Sequence, residues 1–401
     1  MKFTKTLLTT VLFSFSVLGL AQVAYAYTDE QEMQFEQALD AVYNKDFETA
    51  FKLFQSLEKQ GVLEAQFNLG LMYQNGQGIK RDDAEAVKWF RKAAERGEVM
   101  AQVNLGLIYL EGRGEKQDDT EAVKWFRKAA EQGYSVAQVN LGMIYLEGRG
   151  EKRDDAEAIK WFRKAAEQGN PNAQFLLGEM YHEGLGVAQN DVEAVKWFRK
   201  GAELGSPDAQ YNLGVMYRDG LLGVAQNDIE AVKWFRKGAE LGFPDAQYNL
   251  GVMYRDGKGI KQDDAEAVKW FRKAAEQGHS AAQGNLAVMY AEGQGVKQDN
   301  TESIKWLRKA ADQGNARAQV NLGLNYHKGV GVKQDYAKAQ EWFEKAAKQG
   351  DWQALLLLAD AYLKGYGVKQ DPLKAREYFG HACFAGVQNA CDMYFQLNEA
   401  Q

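Results

Sequence analysis

Apolar and polar positions follow one another along this chain with the spacing of helices, and the same arrangement returns through most of its length. Between residues 65 and 73 the apolar positions lie three or four apart, which predicts an amphipathic helix. A glycine-rich loop follows, and Asp82 with Glu85 has the spacing of a capping box that begins a second helix. Residues 86–93 carry the apolar stripe of that helix, and Gly97 ends it. One unit is therefore a helix A, a glycine-rich loop, a helix B and a short turn.

Tryptophan marks the return of this unit in helix B. The intervals are 36 residues, with a single one of 37, at Trp89, Trp125, Trp161, Trp197, Trp234, Trp270, Trp306 and Trp342. A fixed period of this length is typical of a solenoid, in which similar helix pairs stack on one another. Each tryptophan falls within an apolar stripe, so we expect it to pack in the core. An exposed stacking platform for a ligand is the alternative.

Small residues recur in the middle of helix A. Glycine inside a helix costs about 1 kcal/mol relative to alanine, so its return in unit after unit needs a compensating reason. We expect a neighbouring helix to pass too closely for a side chain at these positions. The set is Gly70, Gly106, Gly142, Gly178, Gly214, Gly251 and Gly323, with Ala287 and Ala359 in the same place.

The start of the chain is predicted to be a signal peptide over residues 1–26. It has a short positive segment, an apolar run over residues 7–20 and a small-residue cleavage site at residues 24–26. Cleavage after Ala26 would make Tyr27 the first residue of the mature protein, which we expect in the periplasm or outside the cell. An uncleaved N-terminal anchor is the alternative, and no later segment is predicted to span a membrane.

Charge and composition narrow the classes of function. The formal net charge is −6, and no basic patch or basic tail occurs, so nucleic acid is not an expected partner. The four histidines are scattered along the chain without the spacing of metal ligands, and they are expected at the surface. The glycine-rich loops follow no strand and carry no P-loop lysine. No metal and no cofactor are therefore predicted.

The repeated unit resembles the Sel1-like repeat family, a relative of the tetratricopeptide repeats. The resemblance rests on A-Q-x-N-L-G-x-x-Y, G-x-G and D-x-x-E-A-x-K-W-F-R-K-A-A, and it covers residues 63–387 in nine copies. It implies an all-α fold, a right-handed superhelical solenoid of antiparallel helix pairs, in an exported bacterial member of the family. Residues 27–62 are predicted to be a divergent helix pair that resembles an ordinary tetratricopeptide unit. Residues 388–401 are predicted to be a C-terminal capping helix.

Helix A is the element that lines the concave face of tetratricopeptide-like stacks, so its variable and polar positions are candidates for binding. An asparagine row could hold the backbone of an extended peptide, or it could bond to neighbouring helix backbone within the stack. Tyrosine and arginine in two middle units could select the partner, or the arginines could pair with adjacent acidic residues. The candidates are Asn68, Asn104, Asn140, Asn212, Asn249, Asn285, Asn321, Tyr211, Tyr248, Arg218 and Arg255.

The two cysteines, Cys383 and Cys391, are expected at the end of one helix and the start of the next. Adjacent antiparallel helices can bring such positions within disulfide range, and an even number of cysteines in an exported chain favours a bridge. Two buried thiols are the alternative. The resemblance points the same way, since secreted cysteine-rich Sel1-repeat proteins carry disulfides within their units.

These features together predict a non-enzymatic protein-interaction scaffold whose concave groove binds a peptide or domain of an envelope, sensor or host protein. One alternative is an enzyme directed at β-lactams or peptidoglycan, because some secreted Sel1-repeat relatives have been described in that way. Ser56 opens an S-x-x-K string, but the S-D-N and K-T-G elements that a serine acylase needs do not follow. The other alternative is a passive spacer, in which length alone matters.

Overall fold

The computed structural model describes residues 27–399, and these residues form helices with no β-strand among them. The predicted signal peptide, including the residue Ala26 at its cleavage site, lies outside the described residues, as do the last two residues of the chain. The chain divides into two compact units, with the boundary between Leu204 and Gly205.

The helices alternate between A and B members of successive pairs. Within each compact unit, helices that follow one another along the chain pack together. Short connections make the two members of a pair antiparallel. This confirms the all-α fold of helix pairs. The A helices are α1 (Asp29–Tyr43), α3 (Leu63–Asn75), α5 (Val99–Glu111), α7 (Ser135–Glu147), α9 (Pro171–Glu183), α11 (Pro207–Asp219), α13 (Pro244–Asp256), α15 (Ser280–Glu292), α17 (Ala316–Lys328) and α19 (Trp352–Lys364). The B helices are α2 (Phe47–Lys59), α4 (Asp83–Glu95), α6 (Asp119–Glu131), α8 (Asp155–Glu167), α10 (Asp191–Glu203), α12 (Asp228–Glu240), α14 (Asp264–Glu276), α16 (Asn300–Asp312), α18 (Tyr336–Ala347) and α20 (Pro372–Phe384), and α21 (Gln388–Glu399) follows the last pair.

Glycine and aspartate set the helix boundaries at the positions that the sequence indicates. Gly76 ends α3 with a φ of 68°, a left-handed conformation that glycine adopts at little cost. The carboxylate of Asp82 accepts a hydrogen bond from the backbone N–H of Glu85 at 2.9 Å and so caps α4. Gly78 has a second role in the loop, because a Cβ there would lie 2.2 Å from the carbonyl oxygen of Phe47. The loop therefore rests on the start of the preceding helix B.

The glycine in the middle of helix A lies beneath an aromatic ring. A Cβ on Gly70 would come within 2.6 Å of the ring of Phe90, which is fully buried in α4. Real Cβ atoms do not approach carbon this closely, so a side chain here would force the two helices of the pair apart. The expected close approach is confirmed, and the neighbour is helix B of the same unit. The same pairing joins Gly106 to Phe126, Gly142 to Phe162, Gly178 to Phe198, Gly214 to Phe235, Gly251 to Phe271 and Gly323 to Phe343.

The tryptophans of helix B belong to the core. Trp125 and Trp306 are each 5% exposed, and the others are buried or half-buried. A lysine three residues later lies over the outer face of the ring, as Lys164 does over Trp161 with Nζ 4.1 Å from the ring centroid. The lysine stem covers the part of the ring that packing leaves open, so the tryptophans do not form an exposed platform.

In most repeats a buried glutamine ties helix A to the helix B before it. Gln102 Nε2 donates to the carbonyl oxygen of Ala94 at 3.1 Å, and Gln102 Oε1 accepts from Gln132 Nε2 at 2.8 Å. We call this pair of bonds the glutamine relay. It satisfies both ends of a buried amide and links three helices. Complete relays also centre on Gln138, Gln247, Gln283 and Gln319.

The C-terminal joint uses a covalent bond at the positions of the relay. Cys383 and Cys391 stand where Ala94 and Gln102 stand in an earlier unit, with the same separation of 8 residues. Their Cα atoms are 4.6 Å apart and the sulfurs are bonded. The predicted disulfide is confirmed, and it fastens α21 to α20.

Candidate binding surface on the A helices

The candidate residues of two units lie on one stripe of each helix A. Asp208, Tyr211 and Arg218 follow α11 at intervals of three and seven residues, which places them on a single side of the helix. Asp245, Tyr248 and Arg255 hold the same positions on α13. All six side chains are half-buried. We call these six residues the A-helix face.

Most asparagine side chains of the row already make one hydrogen bond within their own helix. Asn249 Nδ2 donates to the carbonyl oxygen of Asp245, four residues earlier, at 2.8 Å. The same bond is made by Asn68, Asn104, Asn140, Asn212 and Asn285 at 2.8–2.9 Å. In α17, Asn321 contributes its carbonyl oxygen, which accepts from Asn325 at 2.8 Å. The structure thus places one amide proton of most of these residues in a local bond to their own helix, and contact with a partner's backbone stays a prediction.

The arginines connect one unit with the next. Arg255 Nη1 donates to Asn285 Oδ1 at 2.7 Å, and Arg255 Nε donates to its neighbour Asp256 at 2.7 Å. Arg218 makes the equivalent bond to Asn249 and a two-pronged contact with Asp219 at 2.6 and 2.7 Å. The acidic pairing that the sequence offers as an alternative is therefore present, together with a bond between units. About a third of each arginine side chain remains exposed.

The tyrosines stand between the core and the surface. The ring of Tyr248 lies 5.8 Å from the core ring of Phe271 and stacks on His279 at 4.7 Å with an interplanar angle of 22°. Tyr211 lies 5.6 Å from Phe243, which holds the position of His279 one unit earlier. Burial raises the pKa of the Tyr211 hydroxyl, with a smaller contribution from the Asp245 carboxylate. Each tyrosine thus presents an edge to solvent from a ring that the core holds in place.

His279 is a member of this surface that the sequence assigns only to the exterior. Its Nδ1 accepts from the backbone N–H of Ala282 at 3.1 Å and caps α15, while Nε2 faces Asp245 Oδ1 at 3.4 Å. Its side chain is only 16% exposed, because it packs on Tyr248. The equivalent residue in other repeats also precedes helix A, and its type varies from repeat to repeat. This variation is the feature of the sequence that could have indicated a surface role for His279.

The acidic end of the A-helix face has an unusual electrostatic environment. Burial raises the pKa of the Asp208 carboxyl, and the Asp245 carboxylate of the next unit raises it further. Within residues 27–399, no lysine or arginine nitrogen lies within ion-pair distance of Asp208. The charged form of Asp208 is therefore poorly stabilised in the free protein.

The equivalent positions differ in neighbouring units. In α5 and α7 they are Val103, Leu110, Val139 and Leu146, all buried. In α15 the position of the tyrosines is Gly284, where a Cβ would meet no atom within 4 Å. Glycine here has no packing reason of the kind found at Gly70. The A-helix face is thus a polar and aromatic surface beside an open position.

The described part of the chain holds neither a cluster of metal ligands nor a membrane-spanning helix. Over residues 27–399 no three histidine, cysteine or acidic side chains come together as metal ligands would. In the same range, no helix has both the length and the apolar character needed to cross a bilayer.

Comparison with known proteins identifies the family to which the repeats belong. The family model described as Sel1 repeat matches nine consecutive stretches, residues 63–98, 99–134, 135–170, 171–206, 207–243, 244–279, 280–315, 316–351 and 352–383. Among solved structures, a protective antigen present in uropathogenic Escherichia coli strains, which displays an SLR fold, is 35% identical with a TM-score of 0.72, covering 92% of this chain and 80% of its own. A Sel1 repeat protein from Oxalobacter formigenes is also 35% identical with a TM-score of 0.57, covering 77% of this chain and 89% of its own. No curated protein matches the sequence.

Proposed function

The chain belongs to the Sel1 repeat family, and from that premise we propose that it is a non-enzymatic scaffold that binds a partner protein across the A-helix face. Sel1 repeat proteins are protein-interaction scaffolds. The observation that carries the proposal is the pair of half-exposed tyrosines, Tyr211 and Tyr248, set between carboxylates and guanidinium groups on adjacent A helices. Aromatic and arginine side chains on a rigid support are typical anchors of protein interfaces.

An extended segment is the partner form that suits this face. The side chains at equivalent positions repeat from α11 to α13, so a segment that crosses these two helices meets the same groups in succession. The asparagines of the row keep hydrogen-bonding capacity beyond their local bond, since an amide has two donor protons and an acceptor oxygen. Asn212 and Asn249 are buried, so half-buried Asn285 beside Arg255 is the member of the row that can hold the backbone of the segment while the tyrosines contact its side chains.

We propose no catalytic role. Ser56, which opens the S-x-x-K string, lies on α2, where its hydroxyl oxygen is 3.4 Å from the Gln60 side-chain nitrogen that donates to it. Purified protein should therefore hydrolyse a chromogenic β-lactam no faster than a Ser56→Ala variant. Turnover that this single substitution abolishes would refute the scaffold proposal.

The test of the scaffold is a capture experiment with matched variants. Immobilised wild-type protein and the double variant Tyr211→Ala/Tyr248→Ala are exposed to envelope and culture-medium proteins, and bound partners are identified by mass spectrometry. We expect at least one partner to bind wild type and to be lost from the double variant. Tyr43→Ala, which changes a tyrosine that is 87% exposed on α1, serves as the control and should retain the partner. Equal binding by all three proteins would refute a role for the A-helix face.

We also propose export to the periplasm or the outside of the cell. The predicted signal peptide motivates this proposal, and the Cys383–Cys391 disulfide supports it, because structural disulfides persist in oxidising compartments. N-terminal sequencing of protein recovered from the periplasm or medium should return Tyr27 as the first residue. Recovery of protein that begins at Met1 would contradict cleavage.

A further inference from the structure

We propose that the A-helix face selects a partner segment by a basic side chain, lysine or arginine, which docks against Asp208 and Asp245 beside the rings of Tyr211, Phe243 and Tyr248. The inference rests on the proposed function, since it names the chemistry of the segment that the scaffold binds. The basic side chain of the partner contacts the acidic end of the A-helix face. The residues that follow this side chain in the segment contact the rest of the face.

The carboxylates supply the charge. Asp208 and Asp245 hold the same position on adjacent A helices, and Asp208 is paired with no lysine or arginine among residues 27–399. The Asp245 carboxylate lies 3.4 Å from the imidazole Nε2 of His279. A guanidinium or ammonium group that reached both carboxylates would compensate two like charges that now repel each other. Such a group would also form charge-assisted hydrogen bonds, which are the strong class.

The aromatic rings supply the second element of cation recognition. Tyr211 and Phe243 lie 5.6 Å apart at 51°, so their ring faces are tilted towards one another and do not lie flat against each other. Tyr248 and His279 stack one unit further along. Cations are attracted to the faces of such rings, and the attraction is larger where the site is partly desolvated. Aromatic rings beside carboxylates distinguish a basic side chain from a neutral one of similar length.

The arginines fix the orientation of the segment. Asp208 and Arg218 are separated by ten residues of α11, which is about 15 Å along a helix. The face therefore carries carboxylates at the start of the A helices and guanidinium groups at their ends. Arg218 and Arg255 already contact Asp219 and Asp256, so this end carries little net charge and offers a basic side chain no carboxylate free of a cation. A basic side chain is drawn to one end of the face only.

Gly284 leaves space beside this end. The next helix A, α15, has a glycine in the tyrosine position and Ala281 in the aspartate position, and a Cβ on Gly284 would meet nothing within 4 Å. A segment whose basic side chain docks at Asp245 can therefore continue over α15 without a collision. A leucine at position 284 would fill that path while leaving the helix intact, as Leu356 does in the same position of α19.

A random twelve-residue peptide library displayed on phage tests the proposal with the purified chain as the immobilised target. Selected peptides are synthesised with a fluorescent label and titrated at low salt against wild type and variants. We expect the enriched sequences to share a lysine or arginine, and its replacement by norleucine to weaken binding about tenfold or more. Asp208→Asn and Asp245→Asn should each produce a loss of similar size. Asp312→Asn, an equal change of charge on the exposed end of α16, should change the affinity less than about twofold.

Two further outcomes separate this inference from the scaffold itself. Gly284→Leu should weaken the same peptides while the melting temperature stays level or rises, which a merely destabilised variant would not do. Enriched peptides that lack a basic residue, no enrichment at all, or binding that Asp208→Asn and Asp245→Asn leave unchanged would overturn the inference. In each of those cases the capture of a partner that depends on Tyr211 and Tyr248 would still support the scaffold.

Discussion

At the scale of the residue, Gln174 shows what one missing donor does to a repeated network. Its Nε2 donates to the Ala166 carbonyl oxygen at 3.1 Å, as in every complete relay, but its Oε1 has no hydrogen-bond partner. The residue that ends helix B of the same unit is Leu204, where Gln132 and Gln168 donate to the relay in earlier units. A buried acceptor without a donor costs free energy, while the leucine that replaces the donor is 55% exposed.

Leu204→Gln is therefore expected to stabilise the protein. The new amide can donate to Gln174 Oε1, and an intramolecular hydrogen bond of this kind contributes about 0.5–1.5 kcal/mol. The matched control is Gln168→Leu, which removes the 2.8 Å bond to Gln138 and should destabilise by a similar amount. Urea unfolding followed by circular dichroism measures both variants. Equal stability of Leu204→Gln and wild type would show that solvent already satisfies the oxygen of Gln174.

Asp208→Asn should also stabilise the protein at neutral pH. Burial raises the pKa of Asp208, so the folded state binds its proton more tightly than the unfolded chain does. Stability of the wild type therefore falls as pH rises from the ordinary aspartate pKa, about 3.9, through the higher folded value. The asparagine has no such dependence, and its advantage should vanish in acid. Thermal melts of both proteins from acid to neutral pH measure this, and a variant less stable than wild type at pH 7 would contradict it.

At the scale of the element, two glycines in the middle of A helices have opposite roles. A Cβ on Gly214 would lie 2.7 Å from the ring of Phe235, whereas a Cβ on Gly284 would lie in open space. The glycine of α11 is held by packing within the pair, and the glycine of α15 is not. Packing against helix B therefore requires glycine at position 214 and does not require it at position 284.

Leucine at these two positions should change stability in opposite directions. Gly214→Leu forces a side chain against a buried ring, and overpacking costs about 1–3 kcal/mol, which exceeds the gain of up to about 1 kcal/mol in helix propensity. Gly284→Leu keeps the gain in propensity, and its Cβ has no atom within 4 Å. Hydrogen exchange should rise in α11 and α12 for Gly214→Leu and stay level in α15 for Gly284→Leu. A Gly214→Leu variant as stable as wild type would show that Phe235 moves aside freely.

Most of each element could be predicted from the sequence because its causes are local. The glycine that ends helix A, the aspartate that caps helix B and the apolar stripes lie within a few residues of the structure that they determine. The small residue in mid-helix predicts a close approach for the same reason. The pairing of Arg255 with Asn285 and the stacking of Tyr248 on His279 could not be predicted in this way, because their partners are about one repeat away and nothing in either residue identifies the other.

At the scale of the whole molecule, the joints between successive repeats of one compact unit carry their own contacts, so the stability of each compact unit is a sum of local terms. The last joint differs in kind, because the Cys383–Cys391 disulfide replaces the hydrogen bond of the relay. The helix that it holds, α21, packs on α20 and has no further helix after it among the described residues. A terminal element with a neighbour on one side frays most easily.

Cys383→Ser/Cys391→Ser is expected to loosen this end without unfolding the rest. A disulfide that closes so short a loop contributes about 2–3 kcal/mol in the chain-entropy account, and the loss should fall on the last helix pair and α21. Hydrogen–deuterium exchange should accelerate in α20 and α21 and remain unchanged in α3–α8. A uniform acceleration along the chain would show that the bridge supports the whole fold.

The identical joints also bear on how the gene can change in length. Removing the codons for residues 99–134 would join Glu98 to Ser135 and bring Gln138 to the carbonyl oxygen of Ala94, the partner that Gln102 has now. The junction would carry the same relay bond as the one lost, so unequal recombination between copies with complete relays yields a shorter or longer protein whose relays stay intact. The number of units can then change by whole repeats, and because α11 and α13 have the same sequence, the A-helix face can be lengthened or shortened in the same way.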